Sequence, residues 1–96
     1  MRNMFLVCYD ICNDRRRSEV YTTMRGFGEH IQLSVFRCEL SSREYAEMIS
    51  ELGPLIDHDV DQILVVDIGP IDGRGSQVFE ALGRPYVPAT RSAIVI

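Results

Sequence analysis

Short apolar runs and segments with helical spacing alternate along this chain. The first run, residues 3–11, stays apolar until Asp10. Side chains alternate across a strand, so Leu6 and Cys8 share a face with Asp10, while the opposite face is apolar throughout. Both faces of this predicted strand therefore need cover. We expect helices to cover one face and a second copy of the chain to cover the other.

A helix is predicted directly after this strand. Either Asn13 or Asp14 can cap its N-terminus. Apolar side chains then recur at helical spacing as far as Met24 or Arg25, and the glycines beyond that point end the helix.

Three consecutive cations stand in the first turn of this helix, Arg15, Arg16 and Arg17. Cations at a helix N-terminus oppose the helix dipole and lower the stability of the helix slightly. Arginine also binds phosphate in a planar, bidentate geometry. The three side chains are therefore either a solvated surface or an anion site next to Asp10.

Residues 30–40 are strand-like, either as one bent strand or as two short strands broken near Ser34. Residues 41–44 then form a capping box, and Gly53 with the proline after it ends the helix that follows. The apolar side chains of this second helix recur at i, i+3, i+4 and i+7. They are Tyr45, Met48, Ile49 and Leu52.

Two or three further strands complete the pattern. Residues 62–68 are predicted to form another buried strand, after an acidic loop at 57–61 that we interpret as a solvated connector. Residues 77–82 are a candidate short strand, and residues 92–96 form an apolar end that needs a sheet edge to pair with.

The order of elements predicts the fold class. It is α+β: a ferredoxin-like βαββαβ sandwich, with two helices on one face of an antiparallel sheet and an extra C-terminal strand. With 96 residues, the chain is expected to be a single domain spanning residues 1–96.

Composition narrows the possible partners. The net charge of −4 argues against non-specific nucleic-acid binding, although all ten basic residues are arginine, which leaves room for a local phosphate site. No run approaches the roughly 18 apolar residues of a membrane span, so we expect a cytoplasmic protein.

The cysteines and histidines do not form a recognisable site. Cys8, Cys12 and Cys38 contain no C-x-x-C pair, and we interpret them as structural residues. His30 precedes a strand and His58 lies in the acidic loop, so both are interpreted as incidental to any chemistry.

Asp10 is the main candidate for chemistry. Asp67 also ends an apolar run, but the first and last strands of a ferredoxin-like sheet are antiparallel neighbours, so the two acids lie at opposite ends. One chain thus offers one well-placed carboxylate, which holds Mg²⁺ poorly alone. An isologous homodimer through the open sheet face brings two Asp10 side chains together. Mg²⁺, or another divalent cation such as Mn²⁺, held there can activate water against a phosphodiester.

Two segments resemble motifs of the CRISPR-associated protein 2 family, the small component of the spacer-acquisition machinery. Residues 9–17, Tyr-Asp-Ile followed by Asn-Asp-Arg-Arg-Arg, resemble its first motif. Residues 28–36, a glycine followed by Ile-Gln-Leu-Ser-Val-Phe, resemble its second. Asp61 and residues 82–83 also match in place and type, so the resemblance spans nearly the whole chain.

The resemblance implies a ferredoxin-like homodimer in which Asp10 of each protomer shares a Mg²⁺ ion and acts as the catalytic residue. Family members are metal-dependent endonucleases on RNA or DNA. Their dimer also bridges copies of the CRISPR-associated protein 1 integrase and helps to hold the DNA. Tyr9, Arg17, Ser34 and Phe36 match family motif positions and are supporting site residues. His30 stands where members often carry arginine, which reduces the positive charge.

Three other functions compete with a metal-dependent nuclease. The first is a structural adaptor that positions nucleic acid and the integrase without cutting. The second is a toxin-like ribonuclease similar to virulence-associated protein D, which shares this fold. The third is a small-molecule regulatory domain of ferredoxin-like type, which the arginine triplet and Asp10 do not favour.

Overall fold

The computed structural model describes residues 1–72 and 79–87. Its elements follow the predicted order, and a short 3₁₀ turn, Gly53–Leu55, extends the second helix. They are β1 (Asn3–Asp10), α1 (Asp14–Met24), β2 (Glu29–Gln32), β3 (Val35–Leu40), α2 (Ser42–Leu52) and β4 (Gln62–Pro70).

The four strands form one antiparallel sheet in the order β2-β3-β1-β4. This is the ferredoxin-like arrangement that the sequence predicts, with β1 between β3 and β4. The strand-like stretch at 30–40 is two strands joined by a turn at Leu33 and Ser34. Of the two alternatives, the broken one is correct.

Both helices begin at the predicted caps. The Asn13 side chain accepts a hydrogen bond from the backbone of Arg16. Ser41 and Glu44 form the complete capping box at the start of α2. No helix in the described residues is long and apolar enough to cross a membrane.

The core lies between the sheet and the two helices. Alternate residues of β1 face the helices and are buried, whereas Leu6 and Cys8 face the other way and are half-buried. The side chains that form this core include Phe5, Val7, Tyr9, Val20, Met24, Phe36, Cys38, Met48 and Leu52.

The predicted buried strand at 62–68 is buried within the single chain on one face only. In β4, Ile63 and Val65 pack against the core, but Leu64 is 53% exposed and Val66 is 48% exposed. The helices cover only one side of the sheet, so alternate residues of an apolar edge strand must face outward. Likewise Ile49, placed by the helical pattern on the buried side of α2, is 42% exposed.

The C-terminal strands have two outcomes. The described part of the segment 77–82 is residues 79–82, which form no strand, so the prediction is wrong there; residues 77–78 and the predicted strand at 92–96 lie outside the described residues. The described part of the C-terminal segment instead lies near β2. Phe79 and Tyr86 pack with ring centroids 5.2 Å apart, and the Tyr86 hydroxyl is 3.5 Å from Glu29.

Candidate functional site

Asp10 is the last residue of β1, and its backbone pairs with Gln62 at the start of β4. Because its neighbour Tyr9 faces the helices, Asp10 projects from the sheet face that the helices leave open. The side chain is exposed, and within residues 1–72 and 79–87 no hydrogen bond or ion pair engages its carboxylate. A free carboxylate on a rigid strand end is a suitable oxygen ligand for a hard cation.

A cleft adjoins Asp10 where the end of β1, the start of α1 and the β2–β3 turn meet. It brings together three of the predicted supporting residues, Tyr9, Arg17 and Ser34. The other lining residues are Asp10, Ile11, Ser18, Tyr21 and Leu33. The two motif segments of the sequence, which are distant along the chain, therefore meet at one place.

Tyr9 and Phe36 support the cleft from inside the core. The Tyr9 backbone N–H donates to the Ser34 carbonyl at 3.0 Å, and the Tyr9 ring stacks on Phe36 with centroids 6.3 Å apart. Burial raises the pKa of the Tyr9 hydroxyl; Tyr21 adds to the rise, and Arg17 opposes it. Phe36 is fully buried, so it can act on a ligand only through the side chains that it packs against.

Each of the three consecutive arginines has an acidic partner within the chain. The pairs are Arg15 with Glu19 at 3.4 Å, Arg16 with Asp61 at 2.7 Å, and Arg17 with Asp14. A phosphate at any of these guanidinium groups would compete with a carboxylate that is already bound. An anion site at the three arginines stays a prediction. The case for it is weakest at Arg16, because the partner of Arg16 is the fully buried carboxylate of Asp61.

The interpretation of residues 57–61 as a solvated connector is wrong at Asp61. Its side chain is fully buried, and its two oxygens accept four hydrogen bonds. Arg16 donates at 2.7 and 3.3 Å, the backbone N–H of Cys12 at 3.2 Å, and that of Asp57 at 2.9 Å. The Arg16 guanidinium in particular lowers the pKa of Asp61 to about 2, so the carboxylate is charged at neutral pH.

The register confirms that Asp67 belongs to the other end of the sheet. Asp67 pairs with Phe5, whereas Asp10 pairs with Gln62. The two acids are thus five residues apart along β1, or about 17 Å at roughly 3.3 Å per residue. Asp67 instead accepts a hydrogen bond from the Asn3 side-chain amide at 3.1 Å. Of these two acids, only Asp10 lies at this end of the sheet.

No cluster of three or more His, Cys, Asp or Glu side chains that could hold a metal ion occurs in the described residues. The histidines are engaged elsewhere: the Nε2 atoms of His30 and His58 lie 3.1 and 2.8 Å from the carbonyls of Leu33 and Gly53. Cys38 is fully buried in the core, and this burial raises the pKa of its thiol to about 12, which disfavours the thiolate. A metal at Asp10 therefore needs ligands from water or from another chain.

Sequence reasoning missed two features of this region. Tyr21, which the sequence pattern does not single out, lines the cleft and packs against the core. Asp61 matches a position of the resembled family, but nothing local marks it as buried, because residues 57–60 before it in the acidic loop are exposed. Only the pairing of β1 with β4 brings Asp61 against the segment that follows Asp10.

The fold and site define a small ferredoxin-like protein that presents a free aspartate at a strand end. A family model described as "CRISPR associated protein Cas2" matches residues 2–72. The chain belongs to the Cas2 family, which confirms the resemblance.

Curated relatives of this family are similar over most of the chain. A protein of Geobacter sulfurreducens named "CRISPR-associated endoribonuclease Cas2" is 33% identical over 96 residues, 100% of both chains. A protein of Rhodospirillum rubrum named "CRISPR-associated endoribonuclease Cas2 1" is 38% identical over 92 residues, which cover 96% of this chain and 89% of that one.

Solved structures share the fold. A hypothetical protein from Thermus thermophilus superposes with a TM-score of 0.79 at 27% identity, covering 93% of this chain and 100% of that chain. The Streptococcus pyogenes Cas2 structure at pH 6.5 superposes with a TM-score of 0.71 at 28% identity, covering 83% and 99%.

Proposed function

We propose that the protein is a divalent-metal-dependent endonuclease of CRISPR spacer acquisition, with RNA as the first substrate class to test and Asp10 as the metal-binding, catalytic residue. Relatives that are 33–38% identical over most of the chain carry the name endoribonuclease. The observation that carries the assignment is the free, exposed carboxylate of Asp10 at the end of a central strand. The cytoplasmic location expected from the sequence is part of this proposal.

The site is completed by a homodimer through the open sheet face. Mg²⁺ keeps several waters and is usually bound by one or two carboxylates together with substrate phosphates, so a second Asp10 from a partner chain would strengthen a site that one carboxylate holds weakly. The half-exposed apolar residues Leu64 and Val66 lie on the same face as Asp10 and suit an isologous contact. The two Asp10 side chains would hold the ion, and a bound ion would act as a Lewis acid and activate a water molecule.

The other site residues bind and orient the nucleic acid. Tyr9 and Ser34 shape the cleft beside Asp10, with Phe36 packed behind Tyr9. Arg17 is partly exposed there and is the arginine of the triplet best placed to meet a phosphate oxygen near Asp10.

Replacement of Asp10 by asparagine tests the proposal. Asp10→Asn keeps the shape of the side chain and removes the charge that attracts the cation. Loss of even an outer-shell partner of a metal costs about 10–100-fold in affinity or activity, so we expect Mg²⁺-dependent RNA cleavage to fall by at least about 100-fold. The matched control is Asp67→Asn, an exposed carboxylate at the far end of the same sheet, which should cleave like the parent protein. Equal cleavage by the parent protein and Asp10→Asn would refute the assignment.

A structural adaptor is the second candidate. The net charge of −4 and the internal pairing of all three consecutive arginines favour it over a nuclease that binds its substrate alone. Both features weaken direct binding to DNA or RNA, whereas an adaptor can share the DNA with the integrase. In this function the homodimer bridges copies of the CRISPR-associated protein 1 integrase and DNA. If Asp10→Asn loses cleavage but retains spacer integration, the protein acts in spacer acquisition as an adaptor and not as a nuclease.

A further inference from the structure

The segment that follows Asp10 is fixed from two sides. Ile11 is 4% exposed, and its carbonyl accepts a hydrogen bond from Arg17 at 3.0 Å. One residue further on, the Cys12 backbone N–H donates to Asp61 at 3.2 Å, and the Cys12 thiol lies 3.6 Å from the Val60 carbonyl. The chain therefore leaves β1 in one defined direction.

Asp61 is the centre of this arrangement. It is the residue before Gln62, the strand partner of Asp10, and it binds Cys12, two residues beyond Asp10. Asp61 thus joins the two chain segments that flank the Asp10–Gln62 pair. Arg16 in turn holds both Asp61 oxygens, at 2.7 and 3.3 Å. With Arg16 in place, the carboxylate is compensated in charge and limited to one orientation.

We propose that the Arg16–Asp61 pair is a positioning device for the Asp10 metal site. It would fix the backbone at the end of β1, and so the direction in which the carboxylate of Asp10 meets the cation. This inference rests on the proposed function of Asp10. It gives Arg16 a role other than the two that the sequence left open, a solvated side chain or part of an anion site. It assigns Asp61 a role that requires no contact with the cation.

The alternative is that the pair stabilises the fold without affecting the site. The matched structural control is Glu44→Ala, which breaks another ion pair, Arg2–Glu44 at 2.6 Å, together with the capping box of α2. Arg2 lies eight residues before Asp10, so this pair is at the far end of β1. If the Arg16–Asp61 pair is purely structural, variants that break it should behave like Glu44→Ala. Both should lower the melting temperature and leave metal affinity unchanged.

The experiment measures Mn²⁺ binding by electron paramagnetic resonance, which needs no substrate and no activity. The variants are Asp61→Asn, Arg16→Lys, Asp10→Asn and Glu44→Ala, each below its melting temperature. We expect Asp61→Asn to weaken Mn²⁺ binding by at least about tenfold, the lower end of the effect of an outer-shell partner. Arg16→Lys keeps the charge but loses the paired donors. Its Mn²⁺ affinity should lie between that of Asp61→Asn and that of the parent protein. Glu44→Ala should bind like the parent protein.

Hydrogen exchange at the Cys12 amide reports whether its hydrogen bond to Asp61 has been lost. Faster exchange at Cys12 in Arg16→Lys with unchanged Mn²⁺ affinity would overturn the inference, even if Asp61→Asn fails to fold. So would an Asp61→Asn affinity within twofold of the Glu44→Ala value. Parent-like Mn²⁺ binding by Asp10→Asn is a separate result, which would refute the proposed metal site itself.

Discussion

Asp61 shows how one buried charge is kept ionised inside a small protein. Burial alone raises the pKa of a carboxyl group, because the charged form loses its hydration. At Asp61 this effect is outweighed by hydrogen bonds from the Arg16 guanidinium and from two backbone N–H groups. The result is a carboxylate that stabilises the folded state only while it is charged.

The lowered pKa predicts how stability depends on pH. The pKa of Asp61 is about 2 in the folded protein against a usual value of 3.8, so the folded state binds its proton less readily than the unfolded state does. The contribution is fully present above about pH 4 and is lost as pH falls toward about 2. We expect the melting-temperature difference between the parent protein and Asp61→Asn to be largest near pH 5–7 and to shrink as pH is lowered. A constant or widening difference would contradict this.

At the scale of residues, the sequence predicts Asp10 and cleft residues beside it, but not the Arg16–Asp61 pair. Asp10 is visible because it interrupts an apolar strand pattern at a definite position. Asp61 belongs to an acidic loop whose other members are exposed, and Arg16 belongs to a run of identical residues. Nothing in the local sequence distinguishes Asp61 from the other acids or Arg16 from the other arginines. The two residues are 45 positions apart, and only strand pairing brings them together.

At the scale of elements, the connection between α1 and β2 requires a glycine at position 28. The helical pattern assigns Gly28 the role of ending a helix, but among the described glycines only Gly69 and Gly83 have a positive φ. The reason for Gly28 is instead close packing against β3. A Cβ atom there would lie 2.4 Å from the Cys38 sulfur and 2.6 Å from the Arg37 carbonyl oxygen.

Gly28→Ala is therefore predicted to be destabilising. The carbonyl belongs to a central strand and cannot move without disturbing the sheet, so we expect a loss of about 1–3 kcal/mol, typical of an overpacked core. Urea unfolding measures it. The control is Gly26→Ala, whose Cβ would meet only the Thr23 carbonyl oxygen at 3.4 Å, with an expected change within about 0.5 kcal/mol. Equal stability of the two variants would contradict this prediction and show that β3 can shift to accommodate the added methyl group.

The elements themselves are largely predictable because their signals are local. The capping box at Ser41 and the N-cap at Asn13 fix both helix starts within a few residues of sequence. The exposure of β4 is not predictable in the same way. Its apolar run is compatible with burial on both faces, and only the position of both helices on one side of the sheet leaves Leu64 outside.

At the scale of the molecule, the open face carries exposed apolar surface next to the exposed carboxylate of Asp10. Leu64 and Val66 are each about half exposed, and the register places them on the face of β1 that carries Leu6, Cys8 and Asp10. Covering that face with a second copy would bury the apolar residues and bring two Asp10 carboxylates together. The first effect favours association, whereas the second opposes it until a cation is bound.

This opposition predicts a reciprocal coupling between dimerisation and metal binding. If two chains share one ion, Mg²⁺ must tighten the dimer by the same factor by which dimerisation tightens Mg²⁺ binding. We expect sedimentation equilibrium to give a dimer Kd that falls by on the order of tenfold when Mg²⁺ is added, within the usual range of such couplings. Asp10→Asn removes the repulsion and the ligands together. Its dimer should therefore be tighter than the parent dimer without metal and insensitive to Mg²⁺, while Asp67→Asn should respond like the parent protein. A parent dimer that ignores Mg²⁺, or an Asp10→Asn dimer that still responds to it, would mean that the two chains do not share the ion through Asp10.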